Sequence, residues 1–140
     1  MLNMEKEIVK VAVVACAVIK RDGKYLLVQE KQPIAYGLWG FPGGRVEIGD
    51  TIEQTAIKEA KEESGYDIEL ICKIDILQEL ATDAPKHFFE ARIVGGELQY
   101  PDDEILDAQW FAFDEIKEMK EKLRGNWVID AITLLKNKNL

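Results

Sequence analysis

A glycine-rich turn followed at once by a well-bounded helix is the feature of this sequence that most constrains its fold. It occupies residues 43–66. Thr51 can cap the helix and Gln54, three residues later, can complete a capping box. Gly65 is the residue type that commonly ends a helix in a left-handed conformation. The segment therefore predicts a turn, a helix and a sharp stop, whatever surrounds it.

Three glutamates lie close together on this predicted helix. Glu59, Glu62 and Glu63 are spaced i, i+3 and i+4, which places them on neighbouring turns of one face. Glu63 projects between the directions of Ile52 and Ala56, on the stripe that should face the core. A carboxylate in that position is costly unless something positive neutralises it.

A hard divalent cation would supply the missing positive charge. Lys58 and Lys61 point to the other side of the helix, so they do not pair with all three glutamates. Magnesium or manganese prefers oxygen ligands and can share its coordination shell with substrate phosphates. The backbone of Gly43 and Gly44 can approach a metal or phosphate closely because no Cβ intervenes. The alternative is a solvated acidic helix face, which the glycine turn and the core-facing carboxylate disfavour.

These residues carry a resemblance to a known family. Residues 44–66, preceded by FPGG from Phe41, resemble the Nudix box, G-x5-E-x7-R-E-U-x-E-E-x-G-U, in which U is apolar. Two positions depart from that pattern, because Asp50 stands where the family has Glu and Lys58 stands where it has Arg. Both changes keep the charge, but lysine lacks the bidentate fork of a guanidinium.

The resemblance implies a fold and a metal site. It implies an α/β protein with a Nudix-type α/β/α sandwich around a mixed sheet. In Nudix hydrolases the glutamates that match Glu59, Glu62 and Glu63 bind Mg²⁺ (or Mn²⁺), together with a carbonyl at the position of Gly43. By the same resemblance Glu59 and Glu62 are predicted to be catalytic.

Two further residues are predicted to take part in catalysis. Nudix enzymes often add an acidic residue from a downstream loop as a ligand or base, and Glu104 is the best candidate, with Asp102 and Asp103 as local competitors. The alternative for all three is a solvated acidic loop. Lys58 is predicted to orient a metal-binding glutamate through a charged hydrogen bond, whereas Asp50 suits a structural role beside the helix N-terminus.

Candidates for substrate binding come with alternatives. Phe41 could stack a base, as the matching residue does in MutT-type enzymes, or it could be a core aromatic residue. Asn126 lies near the start of the last predicted helix, where MutT-type enzymes place an asparagine that reads a purine through both amide atoms. It could instead be a helix cap. Arg124, Trp127 and Trp39 could line a pocket or simply pack.

The predicted function is magnesium-dependent hydrolysis of a phosphoanhydride in a nucleoside polyphosphate, with a triphosphate split into monophosphate and pyrophosphate. One alternative is an ADP-ribose or nucleotide-sugar pyrophosphatase. Such enzymes often have a proline about sixteen residues beyond the box, and Pro85 comes several residues too late. Another alternative is a catalytically silent Nudix-fold module that binds a nucleotide, which the changes at Asp50 and Lys58 keep open. The intact glutamates, Glu59, Glu62 and Glu63, argue against a catalytically inactive module.

Composition limits the other possibilities. A chain of 140 residues, 47% of them hydrophobic, predicts one domain over residues 1–140. The formal charge of −8 argues against binding to a nucleic acid polymer or an anionic membrane. The apolar run at residues 11–19 is too short to span a bilayer, and residues 1–10 have no signal-peptide pattern. We expect a cytoplasmic monomer or homodimer.

Elsewhere the pattern predicts mixed strands and helices. Cys16 and Cys72 are expected to pack as small apolar residues, and His87 is expected on the solvent-facing side of a strand. Strands are predicted at residues 8–20, 25–30, 68–80 with a break near 73–75, 86–94 and 107–112, and helices at residues 114–122 and 126–136.

Overall fold

The computed structural model describes residues 7, 8 and 10–139. In this part of the chain there are two short 3-10 turns, Pro33–Ala35 and Lys120–Lys122, together with seven strands and three α-helices. The strands and helices are, in chain order, β1 (Val14–Arg21), β2 (Lys24–Glu30), β3 (Trp39–Gly40), β4 (Gly43–Arg45), α1 (Ile52–Ser64), β5 (Tyr66–Leu77), β6 (Lys86–Gly96), β7 (Ile105–Ala112), α2 (Phe113–Met119) and α3 (Trp127–Lys138).

The strands form one mixed sheet. Its main order is β3-β2-β1-β6-β5, with β4 paired to β1 and β7 paired to β2. β1 runs parallel to β6 and antiparallel to β2 and β4. β1 lies in the middle of the sheet, and helices pack against both of its faces, which explains its nearly continuous apolar sequence.

Helices cover both faces of this sheet. Cys16 and Val18 face a core built with α2 and α3, whereas Ala15, Ala17 and Ile19 face α1 and the cores beneath it. This alternation follows from the two-residue period of a strand. The predicted α/β/α sandwich with a mixed sheet is confirmed. None of the helices in the described residues is both long and apolar enough to cross a membrane.

The limits of α1 agree with the sequence prediction. Thr51 Oγ1 accepts a hydrogen bond from Gln54 N at 3.0 Å, and Gln54 Oε1 accepts one from Thr51 N at 2.8 Å. Gly65 ends the helix with φ of 80°, and its N–H donates to Lys61 O. The capping box and the glycine stop are therefore both present, so the direction of the glutamate face is fixed from both ends.

Several predicted boundaries were wrong. β1 begins at Val14 and not at residue 8, because its ladders with β4 and β6 both begin there; Val9 lies outside the described residues. β5 runs without interruption to Leu77, and the expected break is a shift in pairing between Lys73 and Asp75. β7 starts two residues earlier than predicted, at Ile105. The helix predicted at 114–122 ends at Met119, and a 3-10 turn follows it.

The predictions for His87 and Cys72 were also wrong. His87 is only 8% exposed, because it is the pairing partner of Ala15 in β1 and lies on the sheet face that α1 covers. Burial and the nearby Lys73 lower the pKa of His87; Lys73 Nζ lies 2.8 Å from His87 Nδ1. Cys72 lies exposed on β5, whereas Cys16 is buried as expected.

Candidate active site

The glycine turn lies directly against α1 and β1. A Cβ atom on Gly43 would lie 2.6 Å from Ala15 O and 2.7 Å from Cys16 Sγ, and one on Gly44 would lie 2.6 Å from Glu59 Cδ. These separations are shorter than a van der Waals contact, so a side chain on Gly43 would collide with the backbone of β1, and one on Gly44 would displace the Glu59 carboxylate. The two glycines thus bring the backbone of β4 onto the glutamate face of α1.

Glu63 is the most buried of the three helix glutamates. It is 8% exposed, as its position on the core-facing stripe predicted. Its Oε2 accepts a hydrogen bond from the N–H of Gly43 at 3.2 Å. Burial and the neighbouring Glu59 raise the pKa of Glu63 well above its usual value, although the Gly43 hydrogen bond acts in the opposite direction. The turn therefore orients this carboxylate.

Glu59 is half-buried beside it. Burial, followed by repulsion from Glu62, raises the pKa of Glu59 to about 7. Within residues 7–8 and 10–139, neither Glu59 nor Glu63 forms a salt bridge with a basic side chain. Two adjacent carboxylates that share no basic partner have the donor chemistry that a hard divalent cation requires.

The glutamates open into a common cavity of about 290 Å³, which we call the acidic cleft. Glu104 lines it, whereas Asp102 and Asp103 do not. In the described part of the chain, no three His, Cys, Asp or Glu side chains are arranged so that they could hold a metal ion by themselves, so backbone, water or substrate oxygens would have to complete a coordination shell. The acidic cleft is lined by Glu30, Gln32, Gly43, Glu47, Glu59, Glu62, Glu63, Glu104, Ile105 and Arg124.

Lys58 has different partners from those predicted. Its Nζ lies 3.5 Å from Glu47 Oε2 and 3.5 Å from Asp50 Oδ2, and these two carboxylates raise its pKa. The predicted hydrogen bond from Lys58 to a metal-binding glutamate is absent, because the side chain extends toward the loop before α1. The two residues that depart from the Nudix box therefore contact each other, and Lys58 ties α1 to a loop whose Glu47 reaches the acidic cleft.

A second cavity of about 410 Å³ adjoins the acidic cleft, and we call it the Trp127 cleft. Lys86 Nζ lies 5.5 Å from the centre of the Trp127 ring. Arg124 lines both cavities. The Trp127 cleft is lined by Leu77, Gln78, Glu79, Asp83, Ala84, Lys86, Arg124, Gly125, Asn126, Trp127 and Asp130.

The two predicted substrate-binding residues lie in different environments. Phe41 is 3% exposed, and its ring packs against Phe88 and Trp127, which favours the core alternative for Phe41. Asn126 lines the Trp127 cleft. Its backbone is already helical, and its side chain makes no capping hydrogen bond, so the helix-cap alternative for Asn126 is not supported. Trp39 packs edge-on against Phe111.

Sequence reasoning missed part of the acidic cleft. Glu30, Gln32 and Glu47 were not singled out, and Arg124 was left between lining a pocket and packing. Glu30 is the last residue of β2, after a run of buried residues, and a charged residue at such a strand end was an available signal. The contribution of Arg124 depends on contacts between distant parts of the chain, and no local pattern predicts it.

Comparisons with known proteins agree with this architecture. The sequence model of the NUDIX domain matches residues 9–131. A Caenorhabditis elegans protein named "Putative nudix hydrolase 1" is 38% identical over 117 residues, which are 80% of this chain and 32% of that protein. An ADP-ribose pyrophosphatase of Methanocaldococcus jannaschii is 31% identical over 125 residues, 81% of this chain and 73% of that protein. The chain thus spans about a third of the first relative.

Solved structures of other proteins have a similar fold. A NUDIX hydrolase from Nitrosomonas europaea superposes with a TM-score of 0.82 at 28% identity, covering 92% of this chain and 90% of that one. An ADP-ribose pyrophosphatase from Streptococcus suis superposes with a TM-score of 0.72 at 27% identity, covering 92% of each chain. With a family model matched across most of its length and the glutamate helix in register, the chain belongs to the Nudix hydrolase family.

Proposed function

We propose that this protein hydrolyses a phosphoanhydride bond in a nucleoside polyphosphate, splitting a triphosphate into monophosphate and pyrophosphate. The observation that carries this proposal is the pair of buried and half-buried carboxylates, Glu63 and Glu59, held against a glycine turn in a cleft that adjoins the Trp127 cleft. Nudix hydrolases generally use divalent metal cations. We propose Mg²⁺, or Mn²⁺, as the cation used here.

The residues of the acidic cleft can be given distinct roles. Glu59, Glu63 and the carbonyl of Gly43 would hold the cation, with Glu62 completing the set. When bound, the cation would neutralise phosphate charge and lower the pKa of a water molecule. Glu104 reaches the cleft from the loop before β7 and is the proposed base or additional ligand. The N–H of Gly43 keeps the Glu63 carboxylate in place, so this side chain would need to move little when the cation binds.

The Trp127 cleft supports a substrate with an aromatic group. Trp127 offers an indole ring for stacking, and Asn126 offers both a donor and an acceptor to a base edge. Phe41 lies behind Trp127 and supports its position. We therefore assign base contact to Trp127 and Asn126, with Phe41 acting through Trp127.

A second candidate is hydrolysis of ADP-ribose or a nucleotide sugar. The relatives from M. jannaschii and S. suis are both named as ADP-ribose pyrophosphatases, and the same acidic cleft would serve a diphosphate bridge. A relative from Bacillus subtilis named "Putative 8-oxo-dGTP diphosphatase" is 29% identical over 96 residues, which is in keeping with the triphosphate proposal.

Product analysis separates the two candidates. Purified protein would be incubated with Mg²⁺ and a panel of ribo- and deoxynucleoside triphosphates, oxidised purine triphosphates, ADP-ribose and nucleotide sugars, and the products separated by ion-exchange chromatography. Nucleoside monophosphate and pyrophosphate from a triphosphate support the first candidate. Rapid cleavage of ADP-ribose with slow triphosphate turnover would favour the second, and no cleavage at all would contradict both.

A further inference from the structure

Arg124 occupies the boundary between the two cavities. It lines the acidic cleft on one side and the Trp127 cleft on the other, and it is the only Lys or Arg among the residues that line the acidic cleft. Arg124 is thus the residue that the two cavities have in common, placed to contact a substrate whose base lies in one and whose anhydride lies in the other. A guanidinium there would contact the part of the substrate that joins the base and its sugar to the anhydride.

The backbone of Arg124 is held firmly in this position. Its N–H donates to Trp39 O at 2.8 Å, and the preceding residue, Leu123, forms a parallel bridge with Trp39. The segment before α3 is therefore fixed to β3. The starting point of the Arg124 side chain is set by the sheet and not by a free loop.

Gly40 provides the space for the Arg124 side chain. A Cβ atom on Gly40 would lie 2.9 Å from Arg124 Cδ and 3.3 Å from Arg124 Cγ. Any larger residue at position 40 would therefore push the arginine from its present path. The alkyl part of Arg124 thus lies along the backbone of β3, which directs the guanidinium toward the junction of the cavities.

The guanidinium has no protein partner in the described part of the chain. Its nitrogens form no salt bridge with a carboxylate within residues 7–8 and 10–139. The positive charge of Arg124 is nevertheless near enough to Glu30 and Glu63 to act against the rise in the pKa of each carboxyl. An arginine that is positioned but not paired can offer its donors to a ligand. A guanidinium fork matches the geometry of phosphate oxygens.

We infer that Arg124 binds the phosphate that joins the nucleoside to the scissile anhydride, and that Gly40 is the positioning residue that leaves its side chain room to do so. This inference rests on the proposed function and deepens it. It requires a substrate with a phosphate attached directly to the nucleoside, between the Trp127 cleft and the metal-binding glutamates.

The test measures the contribution of that phosphate to binding without turnover. In metal-free buffer with chelator, calorimetry would compare four nucleoside 5′-monophosphates with their parent nucleosides. For the monophosphate that binds wild type best, affinity should exceed that of the parent nucleoside. We call the ratio of these two affinities the phosphate gain, and Arg124→Ala should reduce it roughly tenfold to a hundredfold. Arg124→Lys should keep part of it. Lys122→Ala is the matched control, an exposed cation of the same segment outside both cavities.

Gly40→Ala adds a second, independent comparison. Alone it should reduce the phosphate gain toward that of Arg124→Ala. Because the same Cβ would also lie 3.2 Å from Trp127 Cη2, affinity for the nucleoside alone can change too, but in the Arg124→Ala background the phosphate gain should change little further. Melting curves would show whether each variant is folded. An unchanged phosphate gain in folded Arg124→Ala, or no such gain in wild type, would overturn the inference.

Failure of the proposed function gives a different result. If wild type hydrolyses no nucleotide, but Arg124→Ala weakens its binding of a monophosphate, the inferred phosphate site is supported and the proposed activity is contradicted. If wild type and Arg124→Ala both hydrolyse a nucleotide efficiently with the same KM and kcat, the proposed activity is supported and the role of Arg124 in phosphate binding is contradicted.

Discussion

Glu59→Gln should stabilise the metal-free protein, and by an amount that depends on pH. Folding raises the pKa of Glu59 from its usual 4.5 to about 7, chiefly through burial. That rise corresponds to at most about 3.4 kcal/mol. Because Glu59 is only half-buried, solvent screening reduces the expected effect to about 1–2 kcal/mol. Glutamine has nearly the same shape, so the contact with Gly44 is retained.

The sign follows from proton binding. Between pH 4.5 and 7 the folded state binds a proton at Glu59 more tightly than the unfolded state does. The contribution of Glu59 to stability is therefore fully present below pH 4.5 and is lost as pH rises through about 7. Glu59→Gln should match wild type near pH 4.5 and exceed it near pH 8.

Urea unfolding in the presence of chelator measures this directly. Wild type, Glu59→Gln and the exposed control Glu118→Gln would be compared at both pH values, with the slope m used to check for two-state behaviour. The free energy of unfolding of the control should differ from that of wild type by the same amount at both pH values. If Glu59→Gln is no more stable than wild type at pH 8, the electrostatic strain inferred for this carboxylate is wrong.

Three further predictions test the roles of other residues. Glu63→Gln should lower turnover by about two orders of magnitude or more while the protein stays folded, because an amide is a poor ligand for a hard cation; near wild-type rates at saturating Mg²⁺ would contradict its assignment. Lys58→Ala and Asp50→Ala should lower kcat/KM by similar factors and the double variant by no more than either, since both residues hold one loop; additive losses would show separate roles. Asn126→Ala should reduce selectivity between purine and pyrimidine substrates by about 1–3 kcal/mol and leave the melting temperature unchanged, because its side chain makes no cap; an equal loss for all substrates would remove Asn126 from the base site.

Local sequence patterns were enough to predict α1 and the burial of Glu63. The capping box, the glycine stop and the apolar stripe all depend on residues close together in the chain, so helical geometry alone fixes where the glutamates point. Gly43 and Gly44 were singled out from the sequence for their lack of a Cβ, and the structure adds that a side chain there would collide with β1 or Glu59.

Contacts between distant segments could not be predicted in the same way. His87 is buried because it pairs with Ala15 on the sheet face that α1 covers, and that pairing is not visible in the residues of β6 itself. Lys58 of α1 pairs with Glu47 and Asp50 of the preceding loop, and the path of that loop does not follow from the periodicity of the helix. Arg124 reaches the acidic cleft from a segment that follows the last strand, and its position depends on Trp39 and Gly40.

The central claim is that the carboxylates of the acidic cleft bind a divalent cation. Titration of Mn²⁺ followed by electron paramagnetic resonance reports free metal directly and tests this claim without a substrate. Wild type should remove Mn²⁺ from solution in a manner that Mg²⁺ reverses, and Glu59→Gln combined with Glu63→Gln should lose this uptake while Glu118→Gln retains it. Equal Mn²⁺ uptake by wild type and the folded double variant would contradict the claim.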